Sequence, residues 1–288
     1  KLKELPDESV DMVMTSPPYW ALRDYGVEGQ LGLEPTFQEY INKLCDIFDE
    51  VRRVLKKEGT CWVNMGDTYA GSGGNHKACG GKGTQKIQNA ERKCLLQIPS
   101  RFAIEMCNRG WILRNEIIWH KPSCMPSSVK DRFTVDFEKV FFFTKSKKYY
   151  FETQYEPQIS PNVDMPKTIQ VSGNETQFIS KGQHRLTEKG TTPHFNPNSQ
   201  GRNKRCVWRI TTKPYKEAHF ATYPEALCET PIRAGCPVGG TVLDPFFGAG
   251  TTGLVVRKLG RNFIGIELNG EYIKIAEKRM IVTLGELL

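Results

Sequence analysis

The sequence predicts an α/β chain built on a doubly wound, mostly parallel sheet with a region inserted into it. Three observations carry that prediction. Apolar runs of strand length alternate with segments patterned at helical spacing, a glycine turn joins one such strand to one such helix near the carboxyl end, and residues 154–209 show neither period.

The first strand covers residues 9–15, with Val10, Met12, Val13 and Met14 as its apolar set, and runs into "TSPPYW". Two prolines cannot donate to a sheet ladder, so Pro17 and Pro18 make a stiff strand-end loop that leaves the Pro17 carbonyl free. Ser16 adds a hydroxyl, and Tyr19 and Trp20 add flat faces. Those parts would grip an exocyclic amino group and stack on its ring. An ordinary strand-to-helix turn with its aromatics turned inward has the same composition.

Next, "FQEYINKLCDIFDEVRRVLKKEG" places Tyr40, Ile41, Leu44, Ile47, Phe48, Val51, Val54 and Leu55 on one helical face, and Gly59 is expected to stop the helix. "TCWVNMGD" reads as a second buried strand ending in Asn64 and Asp67, either of which could cap the turn. Residues 70–93, Gly-rich and basic with little to bury, read as a surface loop. "IPSRFAIEMCNRG" is a helix closed by Gly110, "WILRNEIIWHKP" a third strand, and "EKVFFFTKSKKYYFE" a hairpin turning at Ser146 to Lys148.

Residues 154–209 are rich in Asn, Pro, Ser, Thr, Gly, Lys and Arg. Arg185, Lys189, Arg202, Lys204, Arg205 and Arg209 fall within them, which suits a recognition module contacting phosphates; a solvated basic face is the plainer reading. The expected organisation is therefore 1–153, 154–209 and 210–288.

In the last part, "GTVLDPFFGAGTTGLVVRKLGRNFIGIELN" runs from a strand through a tight loop into a helix, then into a strand ending at Glu267. Gly248, Gly250 and Gly253 have the G-x-G-x-x-G spacing that lets backbone approach an adenosine-containing ligand, with Glu267 as acceptor for ribose hydroxyls. Gly250 stands where a phosphate-cradling loop would need Lys ahead of Thr251 and Thr252, which argues against a nucleoside-triphosphate enzyme. A nicotinamide or flavin enzyme stays open on the glycines alone. S-adenosylmethionine is favoured by Asp244, Phe246 and Phe247, since an acid can meet the methionine ammonium and aromatic faces the rest, and hydride transfer has no use for an amine clamp.

Over the whole chain, 288 residues carry a net charge of +8. A polyanionic partner fits that balance. Nine cysteines without a Cys-x-x-Cys pair or zinc-finger spacing suit reduced thiols, and no metal is expected. No apolar run reaches membrane-spanning length, and the start "KLKELPDES" has no signal-peptide pattern. The expectation is an intracellular protein, in the cytoplasm or nucleoid of a bacterial or phage system or in a eukaryotic nucleus.

"TSPPYW", "HFATYPEAL" and "DPFFGAGTTG", in that order, resemble the β group of DNA amino-methyltransferases, which methylate N4 of cytosine or N6 of adenine. The resemblance spans nearly the whole chain and implies a Rossmann-like S-adenosylmethionine-dependent fold. The catalytic half comes first and a target-recognition region sits in the middle. It further implies that Ser16 and the Pro17 carbonyl hold the target amine and that Tyr19 stacks on the flipped base. The loop from Phe246 to Thr252 would serve the methionine side, and His219 and Ala221 would line that end. Double-stranded DNA is the implied partner, and a homodimer suits the family. Ser rather than Asp before Pro-Pro-Tyr leans toward cytosine, with N6-adenine as the alternative. An RNA or protein-glutamine methyltransferase, or a DNA-binding relative without catalysis, would share much of this pattern. Family members also carry a strand ending in Gly-Asp on the adenine side of the pocket, and none stands ahead of Val10 in this sequence.

Overall fold

The computed structural model describes residues 1–71, 90–157, 201–212 and 223–287, with side chains to 281. It divides into two compact units, 1–153 with 206–288, and 154–205.

In the larger unit the order is β1 (Val10–Thr15), α1 (Phe37–Val54), β2 (Leu55–Met65), α2 (Ile98–Asn108), β3 (Ile112–His120) and β4 (Phe137–Thr144). After the smaller unit come β7 (Val207–Arg209), α3 (Glu225–Gly235), β8 (Thr241–Asp244), α4 (Thr251–Lys258), β9 (Asn262–Gly265) and α5 (Gly270–Leu287). The strands form one sheet in the order β7-β3-β4-β2-β1-β8-β9. β1 pairs parallel with β2 and β8, β8 with β9 and β3 with β7, while β4 runs antiparallel to both β2 and β3.

Alternation along the strands sends side chains to two cores. Val13, Cys61, Val63, Phe141, Phe143 and Leu243 pack with α1 and α2 on one face. Met12, Met14, Trp62, Phe142 and Val242 pack with α3 and α4 on the other. Burying each such aromatic or aliphatic side chain contributes about 1.5–3 kcal/mol. Since β1 leads through α1 to β2 on one side, and β8 leads through α4 to β9 on the other, the order in which strands are added reverses between the parallel neighbours β1 and β8. Ligands of open α/β sheets bind in the crevice at the carboxyl ends of such a strand pair.

Three local expectations change. Helix α1 starts as read, with the Thr36 hydroxyl accepting from the Glu39 N–H at 3.2 Å, but it ends at Val54 and Gly59 lies inside β2. Leu55 is extended and sits opposite Val10, so sheet pairing overrides the helix propensity of Lys56, Lys57 and Glu58. The hairpin does not form, because both edges of β4 are already taken by β2 and β3. The chain after Ser146 instead follows the start of β2, the Tyr150 N–H donating to the Glu58 carbonyl at 2.9 Å.

The smaller unit contains a two-strand ladder, β5 (Tyr155–Glu156) with β6 (Arg202–Asn203). Val207–Arg209, expected within the inserted region, is an edge strand of the main sheet, so the unit boundary falls at Arg205.

Candidate active site

The loop after β1 is pinned from below, with Pro17 and Trp20 buried and Ser16, Pro18 and Tyr19 part-exposed. The Tyr40 hydroxyl on α1 donates to the Pro18 carbonyl at 2.7 Å. The Pro17 carbonyl accepts no hydrogen bond from the described residues, so its lone pairs remain for a ligand. Ser16 is part-exposed and its hydroxyl donates to the Tyr19 oxygen at 3.4 Å. Trp20 does not face a ligand: it is 4 % exposed, donates to the Glu34 carbonyl at 3.0 Å and meets Phe37 edge to face.

Tyr19 is gripped at both ends. Its ring lies over the backbone of Gly66, where a Cβ would come within 2.6 Å of Cε2. Its hydroxyl reaches Glu138 Oε2 at 2.7 Å and Asn64 Oδ1 at 3.3 Å, and a phenol has one proton to give, so the shorter contact takes it. Sheet register brings Glu138 here, since Met65 at the end of β2 stands opposite Lys139 near the start of β4. Asn64 Nδ2 donates to the same Glu138 oxygen at 3.1 Å and to the Lys139 carbonyl at 3.2 Å, while Lys121 pairs with the other Glu138 oxygen. Burial first, and the Glu138 carboxylate second, push the Tyr19 hydroxyl well above the ordinary phenol range. It is therefore a neutral donor at physiological pH.

Across the crevice, Asp244 at the end of β8 organises a buried cluster. Oδ1 accepts from the Thr15 hydroxyl at 2.5 Å and the Phe246 N–H at 3.1 Å; Oδ2 accepts from the Thr252 hydroxyl at 2.5 Å and the Tyr223 hydroxyl at 3.2 Å. Burial raises its acid above the ordinary value, and the hydroxyls of Thr15 and Thr252 pull it back. Asp244 is 1 % exposed. It ties β1, the glycine loop and α4 together from beneath, both of its oxygens accepting hydrogen bonds within the fold.

The loop itself fits a ligand that comes close to backbone. Gly248 has φ +51 and nothing within 4 Å of where a Cβ would stand, so its outer side is open. Gly250, φ +80, is closed, its Cβ position lying 2.9 Å from Ala276. Phe247 stacks on Phe263 at 5.4 Å and packs over Gly253 and Gly265, which makes it a support for the loop, while Phe246 is part-buried beside the first core. Thr251 and Thr252 are buried at the start of α4. Glu267 is part-buried: Oε2 accepts from the Gly248 N–H at 2.7 Å, and Oε1 from Leu268 and Asn269 N–H at 2.9 and 2.8 Å. A carboxylate has about four lone-pair sites, so one is left for a hydroxyl.

Asp67 caps α2, Oδ1 accepting from the Ile98 N–H at 3.0 Å. Among the basic candidates, Arg202 and Arg205 both pair with Glu156 Oε1, at 2.8 and 2.6 Å, within the smaller unit, where Lys204 is exposed. Arg209 is exposed on β7. His219, Ala221, Arg185 and Lys189 lie outside the described residues. Periodicity could not have found Glu138, Lys121, Gly66 or Tyr223. The signals available were the place of Tyr223 in "HFATYPEAL" and of Gly66 in "TCWVNMGD", and an acid, Glu138, just ahead of the apolar run "VFFF". No group of three or more His, Cys, Asp and Glu among the described residues is arranged to hold a metal, and no described helix is long and apolar enough to cross a membrane.

A doubly wound, mostly parallel sheet with one antiparallel strand, and a glycine loop leading from β8 into α4, is the architecture of the Rossmann-like methyltransferase class. Comparison with known proteins carries this further: the chain belongs to the N6/N4 DNA methylase family, whose model matches residues 10–278. It is 39% identical over 287 residues to the Type II methyltransferase M.SmaI of Serratia marcescens, covering 96% of this chain and 86% of that protein. The Type II methyltransferase M.Cfr9I of Citrobacter freundii is 38% identical, with 97% and 84% covered. Among solved structures, the cytosine-N4-specific PvuII DNA methyltransferase superposes with a TM-score of 0.65 at 21% identity, over 96% of this chain and 82% of its own. M1.HpyAVI, solved as a complex with S-adenosylmethionine, gives 0.53 at 19%, over 96% and 90%. These two likenesses concern the fold.

Proposed function

We propose that the protein moves a methyl group from S-adenosylmethionine to the exocyclic N4 amine of a cytosine flipped out of duplex DNA. The observation that carries the proposal is the pair at the end of β1: the Ser16 hydroxyl beside a Pro17 carbonyl with no partner among the described residues, on the strand that pairs with β8, which leads into the loop of Gly248. Phe246 to Thr252 and Glu267 would hold the methyl donor, which supplies an electrophilic methyl on a sulfonium.

The residues of the chain do the rest. An exocyclic amine is a weak nucleophile because its lone pair is shared with the ring. When its two hydrogens donate to Ser16 Oγ and the Pro17 oxygen, the nitrogen is drawn toward a pyramidal form and its lone pair is aimed at the methyl; the N–C bond would form as the S–C bond of the donor breaks, the thioether would leave, and the surplus amine proton would pass to water. Tyr19, fixed by Gly66 and Glu138, offers a ring face against which the base stacks. Alignment of this kind, together with exclusion of water, supplies most of the rate gain. The target atom is out of reach in a stacked duplex, so the base is extruded. Arg202, Lys204, Arg205 and Arg209, with Arg185 and Lys189, would contact phosphates. The Ser at position 16 and the likeness to a cytosine-N4-specific enzyme favour cytosine over adenine.

The test is methyl transfer from labelled S-adenosylmethionine to unmethylated duplex DNA, followed by nucleoside mass spectrometry, with Ser16→Ala and Tyr19→Ala beside the parent. N4-methylcytosine lost in both variants is the expected result. N6-methyladenine would replace the cytosine reading with the adenine one, and label entering RNA or protein instead would overturn the DNA reading.

A further inference from the structure

We propose that Glu138 is a positioning residue that sets the direction of the hydroxyl chain Ser16–Tyr19, so that Ser16 turns its lone pairs to the target amine. The proposal rests on the reading of Ser16 just given. A carboxylate only accepts hydrogen bonds, so the Tyr19 proton points to Glu138 Oε2 at 2.7 Å. The Tyr19 oxygen is then left with acceptor capacity alone toward Ser16, 3.4 Å away, and the Ser16 proton turns to it. The Ser16 lone pairs remain for one amine hydrogen while the Pro17 oxygen takes the other. Without this polarity the serine proton would face the amine donor to donor.

The surroundings of Glu138 suit that task. Asn64 Nδ2 donates to the oxygen that receives Tyr19, at 3.1 Å, and Lys121, set over the Trp119 ring at 4.3 Å, pairs with the other. Asn64 is itself fixed by the Lys139 carbonyl at 3.2 Å. The carboxylate therefore cannot swing away from Tyr19 without breaking contacts on both oxygens. Glu138 stands behind Tyr19 and acts on the reacting atoms through it.

The experiment compares Glu138→Gln, Tyr19→Phe and the double variant in single-turnover methylation of duplex DNA at saturating S-adenosylmethionine. Glutamine keeps the shape but adds a donor that can reverse the chain. Glu138→Gln should slow the methyl-transfer step about 10- to 100-fold, the scale of one charge-assisted hydrogen bond, with KM for DNA and cofactor affinity within about threefold. In the Tyr19→Phe background it should change the rate less than about twofold, because the chain is already cut. A wild-type rate in Glu138→Gln, or the same loss in both backgrounds, overturns the proposal. A second readout needs no DNA: 3-fluorotyrosine at position 19 should shift its fluorine resonance on Glu138→Gln. If the parent methylates no DNA and the resonance still moves, the contact stands and the substrate reading falls. An unmoved resonance sinks the contact itself.

Discussion

Replacing Gly66 by alanine tests whether the placement of Tyr19 governs the reaction. No positive φ is imposed at Gly66, so alanine carries no backbone strain there, and the whole effect is steric. The new Cβ would stand 2.6 Å from Tyr19 Cε2, 3.1 Å from Cδ2 and 3.4 Å from Cζ. Carbon atoms settle at about 3.5–4.0 Å, so the ring must retreat by roughly 1 Å. Such a shift stretches the 2.7 Å bond to Glu138 past useful range and pushes the ring into the space expected to receive the base. A misplacement of about 1 Å costs on the order of 100-fold in rate, or roughly 2.7 kcal/mol of barrier. The ring is part-exposed and can yield, so thermal stability should fall by less than about 1 kcal/mol, below the usual cost of overpacking a core. The assay is kcat at saturating DNA and S-adenosylmethionine, with calorimetric cofactor binding and a melting curve as controls. Gly66→Ala in a Tyr19→Ala background should have no further effect. Wild-type kcat in the single variant, or an equal loss without the ring, would refute the steric account.

Three further outcomes are expected. Tyr40→Phe removes the 2.7 Å bond to the Pro18 carbonyl and should cost about 1 kcal/mol in urea unfolding, with a smaller loss of kcat than Ser16→Ala. Glu267→Ala frees the Gly248 N–H and should weaken S-adenosylmethionine binding about 10- to 100-fold by calorimetry, while single-turnover rates at saturating cofactor stay within a few-fold. Asp244 has its acid raised above 3.8 by burial, so the folded state holds its proton more tightly than the unfolded one. Its contribution is fully present below about 3.8 and is lost as pH rises through the folded value, so stability relative to Asp244→Asn should decline upward across that window in paired unfolding curves.

Much of the frame was legible because it is local. Helical spacing from Phe37, the strand before Pro17 and the strand, glycine turn and helix around Gly248 are written in neighbouring residues, and they stand where the pattern put them. What escaped depends on distant partners. The end of α1 was set by Leu55 pairing with Val10, and the missing hairpin by β2 and β3 occupying both edges of β4. Glu138 meets Tyr19 across 119 residues, and no spacing rule joins them. Asp244 was read from its place before the aromatic pair, but the partners that hold it, Thr15, Thr252 and Tyr223, come from three other parts of the chain. A motif identifies a side chain's neighbourhood in sequence, and only the sheet decides which way that side chain is spent.

The bond between Thr15 and Asp244 closes over 229 residues, and β1 takes both of its neighbours, β2 and β8, in parallel register. On a ribosome adding about 5–20 residues each second, roughly 10–50 s pass between the emergence of β1 and that of β8. Throughout that interval β1 offers a bare hydrogen-bonding rim, the kind of template that recruits stray strands. The nascent chain thus waits with its middle seam unsewn, and the Pro-Pro turn that ends β1 has no glycine loop to face until translation is nearly past it. We expect stalled chains ending before Thr241 to be captured by chaperones or digested by protease, and chains extending past β9 to resist; equal resistance in both would show that the seam closes without its far partner.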